Sequence, residues 1–208
     1  MDCGTVEVRA TDGDTWTVEG VDDSGVGPNV EAGGASLDVS SPDGDVGRFL
    51  GERDRWVVRL PTAQRLDLHL TVDAGEAVAD LDNARLGVIE VDLNAGSATV
   101  NLRDATEVGE IDIGINAGAL GLELPAVSTT GSIGANAGSV RLCAPEGVAL
   151  RLDTEGSALS SQDFAAAGLV QVDGAWETPG YDTAVTRIQL QTQANAGAFS
   201  LNPPEGCS

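Results

Sequence analysis

Lysine is absent from this chain of 208 residues, and all eleven basic residues are arginine. Asp and Glu together number 33, so the formal net charge is −22. A chain with this charge repels the phosphates of nucleic acids and of anionic lipid headgroups. Binding driven by phosphate charge is therefore excluded as a function class.

Aromatic residues are also scarce, with three Trp, three Phe and one Tyr, although 41% of the residues are hydrophobic. The core must therefore be built from Val, Leu, Ile and Ala. Such a core suits stacked coils better than a globule with large aromatic anchors. No apolar run reaches the roughly 18 residues that a membrane-spanning helix needs.

The tripeptide Asn-Ala-Gly is present four times, at 94–96, 116–118, 136–138 and 195–197. At the second copy, isoleucines at odd positions come before it and leucines at even positions follow: Ile111, Ile113 and Ile115, then Leu120, Leu122 and Leu124. Strand side chains alternate between two faces, so a continuous strand could not change parity and keep one buried face. Each tripeptide therefore predicts a corner, with Asn or Gly in a backbone geometry that most residues avoid.

Glycines at the predicted corners recur at about 20 residues or about twice that, which is the signature of a repeat fold. The predicted corner glycines are Gly33, Gly75, Gly96, Gly118, Gly138, Gly156 and Gly197. At Gly156, Glu155 takes the place of the asparagine. The pattern predicts an all-β fold, a single-stranded right-handed parallel β-helix (β-solenoid) of about nine coils of about 20 residues. Leu93 and Leu102 are expected to point inside.

One β-solenoid domain is predicted over residues 1–208. Residues 1–30 are expected to form an amino-terminal cap, either a hairpin around Asp12-Gly13-Asp14 or a first coil. Residues 157–187 interrupt the repeat as an irregular insertion, in which Asp173-Gly174 predicts a two-residue hairpin. Residues 202–208 form a proline-containing tail that stops strand pairing.

Four stretches of sequence resemble a known family: Trp56–Pro61, Asp73–Ala77, the Asn-Ala-Gly series, and Gly174–Tyr181. They look like the toastrack, or adhesin-like, domain of LiaF-type bacterial envelope-stress membrane proteins. The resemblance covers nearly the whole chain. It implies an extracytoplasmic β-helical domain at the cell surface, tethered in the full-length protein through a membrane region that this chain lacks.

The resemblance implies a non-catalytic scaffold or sensor module of the cell envelope that acts through protein–protein contacts. The expected partners are envelope proteins or a second copy of the chain; nucleic acid is not expected, and the membrane is reached only through the tether. Two alternatives stay open: an adhesin-like surface module that binds extracellular ligands, and a carbohydrate-active β-helix enzyme. Glycoside hydrolysis needs two carboxylates at a set separation, and 33 acids make chance pairs inevitable.

No residue is predicted to be catalytic, to bind a cofactor or to ligate a metal, and the chain is expected not to be an enzyme. The asparagines Asn94, Asn116, Asn136 and Asn195 could line a ligand groove. Their equal spacing favours a ladder of stacked amides instead. His69, the sole histidine, lies between two inward leucines and is expected to point outward, without a recognisable nucleophile motif.

The pairs Asp12 with Asp14, Asp22 with Asp23, and Asp43 with Asp45 lack the spacing of an EF-hand or of a calcium-binding β-roll, so they are interpreted as solvated turns. The aromatic residues Trp16, Trp56, Trp176 and Tyr181 could form an exposed recognition patch. The favoured interpretation is that they cover the solenoid ends or anchor loops, because open ends must be blocked against further strand pairing.

The three cysteines, Cys3, Cys143 and Cys207, have no metal-binding spacing. In a stack with about 4.8 Å between coils, Cys3 and Cys207 would lie roughly 40 Å apart. Cys143 would be about three coils from Cys207, beyond the ~7 Å that a disulfide allows between Cα atoms. No disulfide within the chain is predicted unless a terminal tail folds back.

Overall fold

A computed structural model describes residues 4–20, 27–33, 36–40, 54–156, 161–162 and 164–203. These residues form sixteen strands and a short 3₁₀ helix, Tyr181–Thr183. The strands are β1 (Gly4–Thr11), β2 (Thr17–Gly20), β3 (Asn29–Gly33), β4 (Ser36–Ser40), β5 (Asp54–Pro61), β6 (Arg65–Val72), β7 (Gly75–Asp80), β8 (Arg85–Leu93), β9 (Gly96–Asn101), β10 (Glu107–Glu123), β11 (Thr129–Cys143), β12 (Ala149–Gly156), β13 (Ser161–Gln162), β14 (Val170–Val172), β15 (Ala175–Glu177) and β16 (Arg187–Leu201). In the described residues no helix is long and apolar enough to span a membrane.

The predicted change of parity is confirmed. In β10, Ile111, Ile113 and Ile115 are buried before the corner, and Leu120 and Leu122 are buried after it. Leu93 and Leu102 are 1% and 0% exposed, as expected. The interior of the central coils is therefore aliphatic and lies between the two strand segments that each corner joins.

Glycine is required at the corners because successive coils approach too closely for a side chain. A Cβ atom on Gly118 would lie 2.3 Å from the carbonyl oxygen of Gly96, and one on Gly96 would lie 2.0 Å from that of Gly75. Gly118 also has φ of 139°, a conformation that L-residues rarely adopt. The same close stacking continues to Gly138 and Gly197, and at the other end to Gly4.

The parallel strands form two faces. Face A is the stack β6–β8–β10–β11–β16–β12. The three long strands, β10, β11 and β16, contribute their amino-terminal halves to it. Face B is the stack β5–β1–β7–β9–β10–β11–β16–β13, in which they contribute their carboxyl-terminal halves. This large, mostly parallel sheet is consistent with the predicted β-solenoid. The right-handed winding, the count of about nine coils and the single-domain boundaries stay predictions.

At both ends the order of the stack departs from the order of the chain. β1 lies between β5 and β7, and β16 lies between β11 and β12. The predicted corner at Gly156 is therefore wrong, because Gly156 pairs with Ala194 and Glu155 pairs with Gln193 rather than with Asn195. Gly138 stacks directly on Gly197 instead.

Two further expectations about the amino-terminal part are wrong. Gly33 is not a solenoid corner, because β3 and β4 form a separate antiparallel pair in which Gly33 is opposite Ser36. β1 and β2 do not form a hairpin with each other, because β5 lies between them and pairs with both. The turn residues between β1 and β2 predicted that these two strands pair with each other. In the structure β5, from later in the chain, lies between them.

Antiparallel strands cover one face at each end of the stack, face B at the end of β5 and face A at the end of β12. β2 pairs with β5 at one end, and β15 pairs with β12 and β14 at the other. The predicted hairpin at Asp173-Gly174 is confirmed, since it joins β14 to β15 with positive φ at both residues. Trp56 is buried in β5, whereas Trp176 lies in β15 edge-on to Phe164 at 6.2 Å between ring centroids. The aromatic residues therefore belong to opposite ends and form no single patch in the described residues.

Cys143 is disulfide-bonded, so the prediction of no disulfide is wrong, and the exception that was allowed for a terminal tail concerns residues outside those that the structure describes. Cys3 and Cys207, the other two cysteines, lie outside the described residues, as do Asp22, Asp23, Asp43 and Asp45. The tail does return to the stack at Asn202, whose backbone N–H donates to the carbonyl of Leu142 at 2.9 Å. Its side-chain Oδ1 accepts the N–H of Ala144, also at 2.9 Å.

Candidate functional site

The four asparagines form one ladder along the corner edge of face A. Asn195 donates its amide to Asn136 at 2.8 Å, Asn136 to Asn116 at 2.9 Å, and Asn116 to Asn94 at 2.6 Å. Asn94 then donates to Asp73 Oδ1 at 2.8 Å. The ladder predicted from the equal spacing is confirmed, and it extends one coil further than the asparagines do.

Asp73 fixes the direction of this ladder. An ionised carboxylate only accepts hydrogen bonds, so the amide NH₂ of Asn94 must face it and its oxygen must face the next coil. Each following amide then takes the same orientation. All members are exposed, so the ladder aligns the coils and gives the edge a regular polar surface rather than a large gain in stability.

A groove with a volume of about 210 Å³ lies on face A beside the ladder. Its floor is Gly114 and Gly134, which stack in register and leave no side chain there. Asp92 and Gln193 lie at its two ends, because the same register position runs from Asp92 through the glycines to Gln193. The groove is therefore lined by amides and one carboxylate, groups that bind hydroxyls and cations.

His69 points outward, as expected, and the fold brings Glu90 and Asp92 next to it. The register places Glu90 beside His69 and Asp92 beside Thr71 on the neighbouring strand. His69 Nδ1 lies 2.8 Å from Glu90 Oε2, and Nε2 lies 3.9 Å from Asp92 Oδ2 and 3.0 Å from the hydroxyl of Thr71. The three acid and imidazole groups could hold a metal ion.

This cluster also places a hydroxyl, an imidazole and a carboxylate in a row, as hydrolases do. Thr71, however, is a secondary alcohol on an open strand face, where water reaches both the ring and the hydroxyl. Acyl transfer needs donors aimed at a developing oxyanion in a site that excludes water. The arrangement therefore orients the imidazole better than it activates a nucleophile.

A sequence model described as the N-terminal domain of toast_rack (DUF2154) matches residues 3–123, more than half of the chain. The chain belongs to the toast_rack family. The fold of this toast_rack chain is also that of a solved protein from Clostridium sporogenes ATCC 15579, described as a candidate cell adhesion protein. The TM-score is 0.62 at 15% identity, over 96% of this chain and 88% of that chain. No curated protein matches the sequence.

The likeness to the solved structure, at 15% identity, shows the fold alone. The toastrack resemblance itself is confirmed.

Sequence reasoning named no metal ligands and so missed the His69 cluster. The signal that could have found it is the coil repeat itself. His69 and Glu90 are separated by the same interval as the corner glycines Gly75 and Gly96, so both occupy one outward column. Applying the repeat to outward polar positions, and not only to the apolar ones, would have placed them together.

Proposed function

We propose that this toast_rack chain is a non-catalytic, extracytoplasmic scaffold or sensor module of the cell envelope that acts through protein–protein contacts. The observation that carries the proposal is the regularity of face A. Its outer surface consists of ladders that repeat from coil to coil, with small glycine positions between them, and such a surface is suited to docking an extended partner. A membrane tether outside this chain would hold it at the cell surface.

Charge indicates the kind of partner. Glu90 and Asp112 are neighbours in register on face A, and Asp92 lies one outward position further along β8. A partner with a basic surface would meet complementary potential here, which speeds association and disfavours acidic competitors. The proposal therefore names face A as the contact surface and a basic segment of an envelope protein as its partner.

Two matched glycine substitutions test which face makes the contact. Gly134→Arg places a long side chain in the groove on face A, where the nearest neighbouring atom to an added Cβ is 4.0 Å away. Gly121→Arg makes the same change on face B, where the nearest atom is 3.9 Å away. Neither position needs a positive φ.

The readout is site-specific crosslinking of the tethered protein in intact envelopes, with mass spectrometry to identify the protein captured. We expect Gly134→Arg to lose the crosslinked partner and Gly121→Arg to retain it. If both variants retain the same partner, face A is not the contact surface. If no protein is captured by the unsubstituted chain, the scaffold proposal is wrong.

The groove favours a second candidate, adhesion to an extracellular glycan. Its amide and carboxylate lining offers donors and acceptors for sugar hydroxyls. A glycan array probed with the unsubstituted chain and with Gly134→Arg distinguishes the two functions. Glycan binding that Gly134→Arg abolishes, without any protein partner, would support adhesion.

A further inference from the structure

We infer that His69, Glu90 and Asp92 form a binding site for a divalent transition-metal ion, Zn²⁺ foremost, on the outer surface of face A. The three residues come from two adjacent strands, β6 and β8, whose register brings them together. His69 and Asp92 act as ligands, and Glu90 positions the imidazole ring. The site shares Glu90 and Asp92 with the proposed contact surface on face A, but it is tested by metal binding alone, without a partner.

The spacing of the ligand atoms supports an ion between them. His69 Nε2 and Asp92 Oδ2 are 3.9 Å apart, which is too long for a hydrogen bond. Tetrahedral Zn²⁺ lies about 2.0–2.2 Å from each ligating nitrogen or oxygen, so two ligands of one ion are separated by about 3.3–3.6 Å. The observed gap is slightly wider, and a small rotation of these two exposed side chains would close it around an ion.

Glu90 prepares the ring for this role. Its Oε2 lies 2.8 Å from Nδ1, so a neutral imidazole donates Nδ1–H to the carboxylate. The lone pair of the neutral ring is then on Nε2, which faces Asp92 and accepts the O–H of Thr71 at 3.0 Å, a hydrogen bond that a bound ion would replace. A carboxylate that orients a ligating histidine in this way is the usual arrangement around zinc.

The surrounding charge favours a cation. Glu90 has Asp112 as its register neighbour on β10, and Asp112 is held by the hydroxyl of Ser132 at 2.6 Å. Asp67, on the other side of His69 along β6, accepts the backbone N–H of Val88. Like charges on adjacent strands repel one another. A bound cation would offset this repulsion between carboxylates.

The donor set selects among metals. Imidazole suits Zn²⁺, Cu²⁺ and Ni²⁺, whereas Ca²⁺ and Mg²⁺ take oxygen ligands and gain nothing from the ring. One oxygen of Asp92, Oδ1, lies over Gly114 at the end of the groove, only 3.0 Å from where a Cβ on that glycine would stand. The other oxygen, Oδ2, is the one that faces His69. The ion would therefore lie at the mouth of the groove with water in its remaining positions.

The test is titration of the full, tag-free chain with ZnCl₂, followed by calorimetry and by ¹⁵N NMR of the imidazole. Because His69 is the sole histidine, its ring nitrogens report this site alone. We expect saturable binding tighter than about 1 mM, with a shift of the Nε2 resonance. CaCl₂ and MgCl₂ should leave that resonance in place.

Substitutions assign the roles. Glu90→Gln is expected to weaken Zn²⁺ binding about tenfold and to change the balance of ring tautomers, as loss of an orienting carboxylate does. His69→Gln and Asp92→Asn should weaken it further. The matched control is Glu110→Gln, which removes one negative charge from an exposed carboxylate of β10. This variant should bind Zn²⁺ as tightly as the unsubstituted chain does.

An unshifted ring resonance would overturn the proposal, because any Zn²⁺ bound would then be elsewhere, for example at a cysteine thiol. So would equal affinity in His69→Gln and the unsubstituted chain. A shift that Ca²⁺ reproduces at the same concentration would also contradict it, because it would reflect charge screening alone.

Discussion

The central coils and the two ends of this solenoid are built from the same kind of strand but are assembled differently. From β8 to β11, each coil stacks on the one before it, so contacts connect residues about 20 positions apart. At the ends, β1 joins β5 from about 50 positions away, and β16 joins β11 from about 59. The centre is local in sequence, whereas the ends are closed by distant strands.

The difference shows how a repeat protein can protect its ends. The first and last long strands, β1 and β16, each have a parallel partner on both sides, so neither is an edge. The short antiparallel strands β2 and β15 lie outside β5 on face B and outside β12 on face A, whereas β6 on face A pairs only with β8 among the described strands. An ion pair fastens each end: Arg55 contacts Glu7 across β5 and β1, and Arg151 contacts Glu177 across β12 and β15. Such ends are poor templates for pairing with another chain.

Removing β16 is the largest test of this comparison. Ending the chain at residue 186 deletes Ile188, Leu190 and Leu201, all buried, at about 1.5–3 kcal/mol each. That loss is comparable with the whole stability of a domain, roughly 5–15 kcal/mol. We expect β12 to lose its hydrogen-exchange protection together with the outer side of β11. If the deletion left the protection of both β12 and β11 unchanged, the placement of β16 between them would be wrong.

Corner glycines should be less replaceable in the centre than at the end. Gly118→Ala places a Cβ 2.3 Å from a backbone oxygen at φ of 139° and should cost about 3 kcal/mol in the free energy of unfolding. In Gly197→Ala the added Cβ would lie 2.7 Å from the carbonyl oxygen of Gly138, and Gly197 has no positive φ. The loss in the free energy of unfolding should therefore be smaller. Urea denaturation measures both, with Gly121→Ala as the control.

For Gly121→Ala we expect little change, because the nearest atom is 3.9 Å away. Equal losses in Gly118→Ala and Gly121→Ala would show that the close stacking of the corners does not limit the fold.

The asparagine ladder joins the centre to the end coil, and cutting it in the middle should have a moderate effect. Asn116→Ala removes two hydrogen bonds, one given to Asn94 and one received from Asn136. We expect a loss of about 1 kcal/mol, since water replaces part of each bond. Gln191→Ala, an exposed amide on face A outside the ladder, is the control. A loss as large in Gln191→Ala would mean that the ladder adds no specific stability.

Acidification should loosen the amino-terminal end before the centre, with a small effect. The hydrogen bond from Arg55 is the largest cause that keeps the pKa of Glu7 below its ordinary value of 4.5; burial, the next in size, opposes it, and the charges of Arg55 and Arg9 add to the lowering. A lowered folded pKa contributes stability above the unfolded value, and this stability is lost as pH falls through the folded value. We expect the hydrogen-exchange protection factors of β1, which correct for the intrinsic effect of pH on exchange, to fall as the pH drops below about 4.5.

Glu7→Gln should remove that dependence on pH, and Glu110→Gln should preserve it. If β1 and β10 exchanged alike at every pH, the ion pair would not fasten the end.

Much of the centre could be predicted because its information is local. The parity change around Asn116, the inward Leu93 and Leu102, and the stacking of the asparagines all follow from alternation and a constant repeat. The same reasoning failed at Gly33, Gly156 and the turn after β1. A corner motif and a hairpin turn look alike in sequence, and nothing within 20 residues indicates that a distant strand inserts there.

The sequence by itself determined the aliphatic interior, the position of each central corner and the column of amides, because a strand has only two faces and a stack requires equal spacing. Only the tertiary structure decided that β1 and β16 lie inside the stack, that Cys143 is bonded, and that His69 meets Glu90 and Asp92. These are contacts between coils, and their partners depend on register, which is set by how the whole chain packs rather than by any one segment.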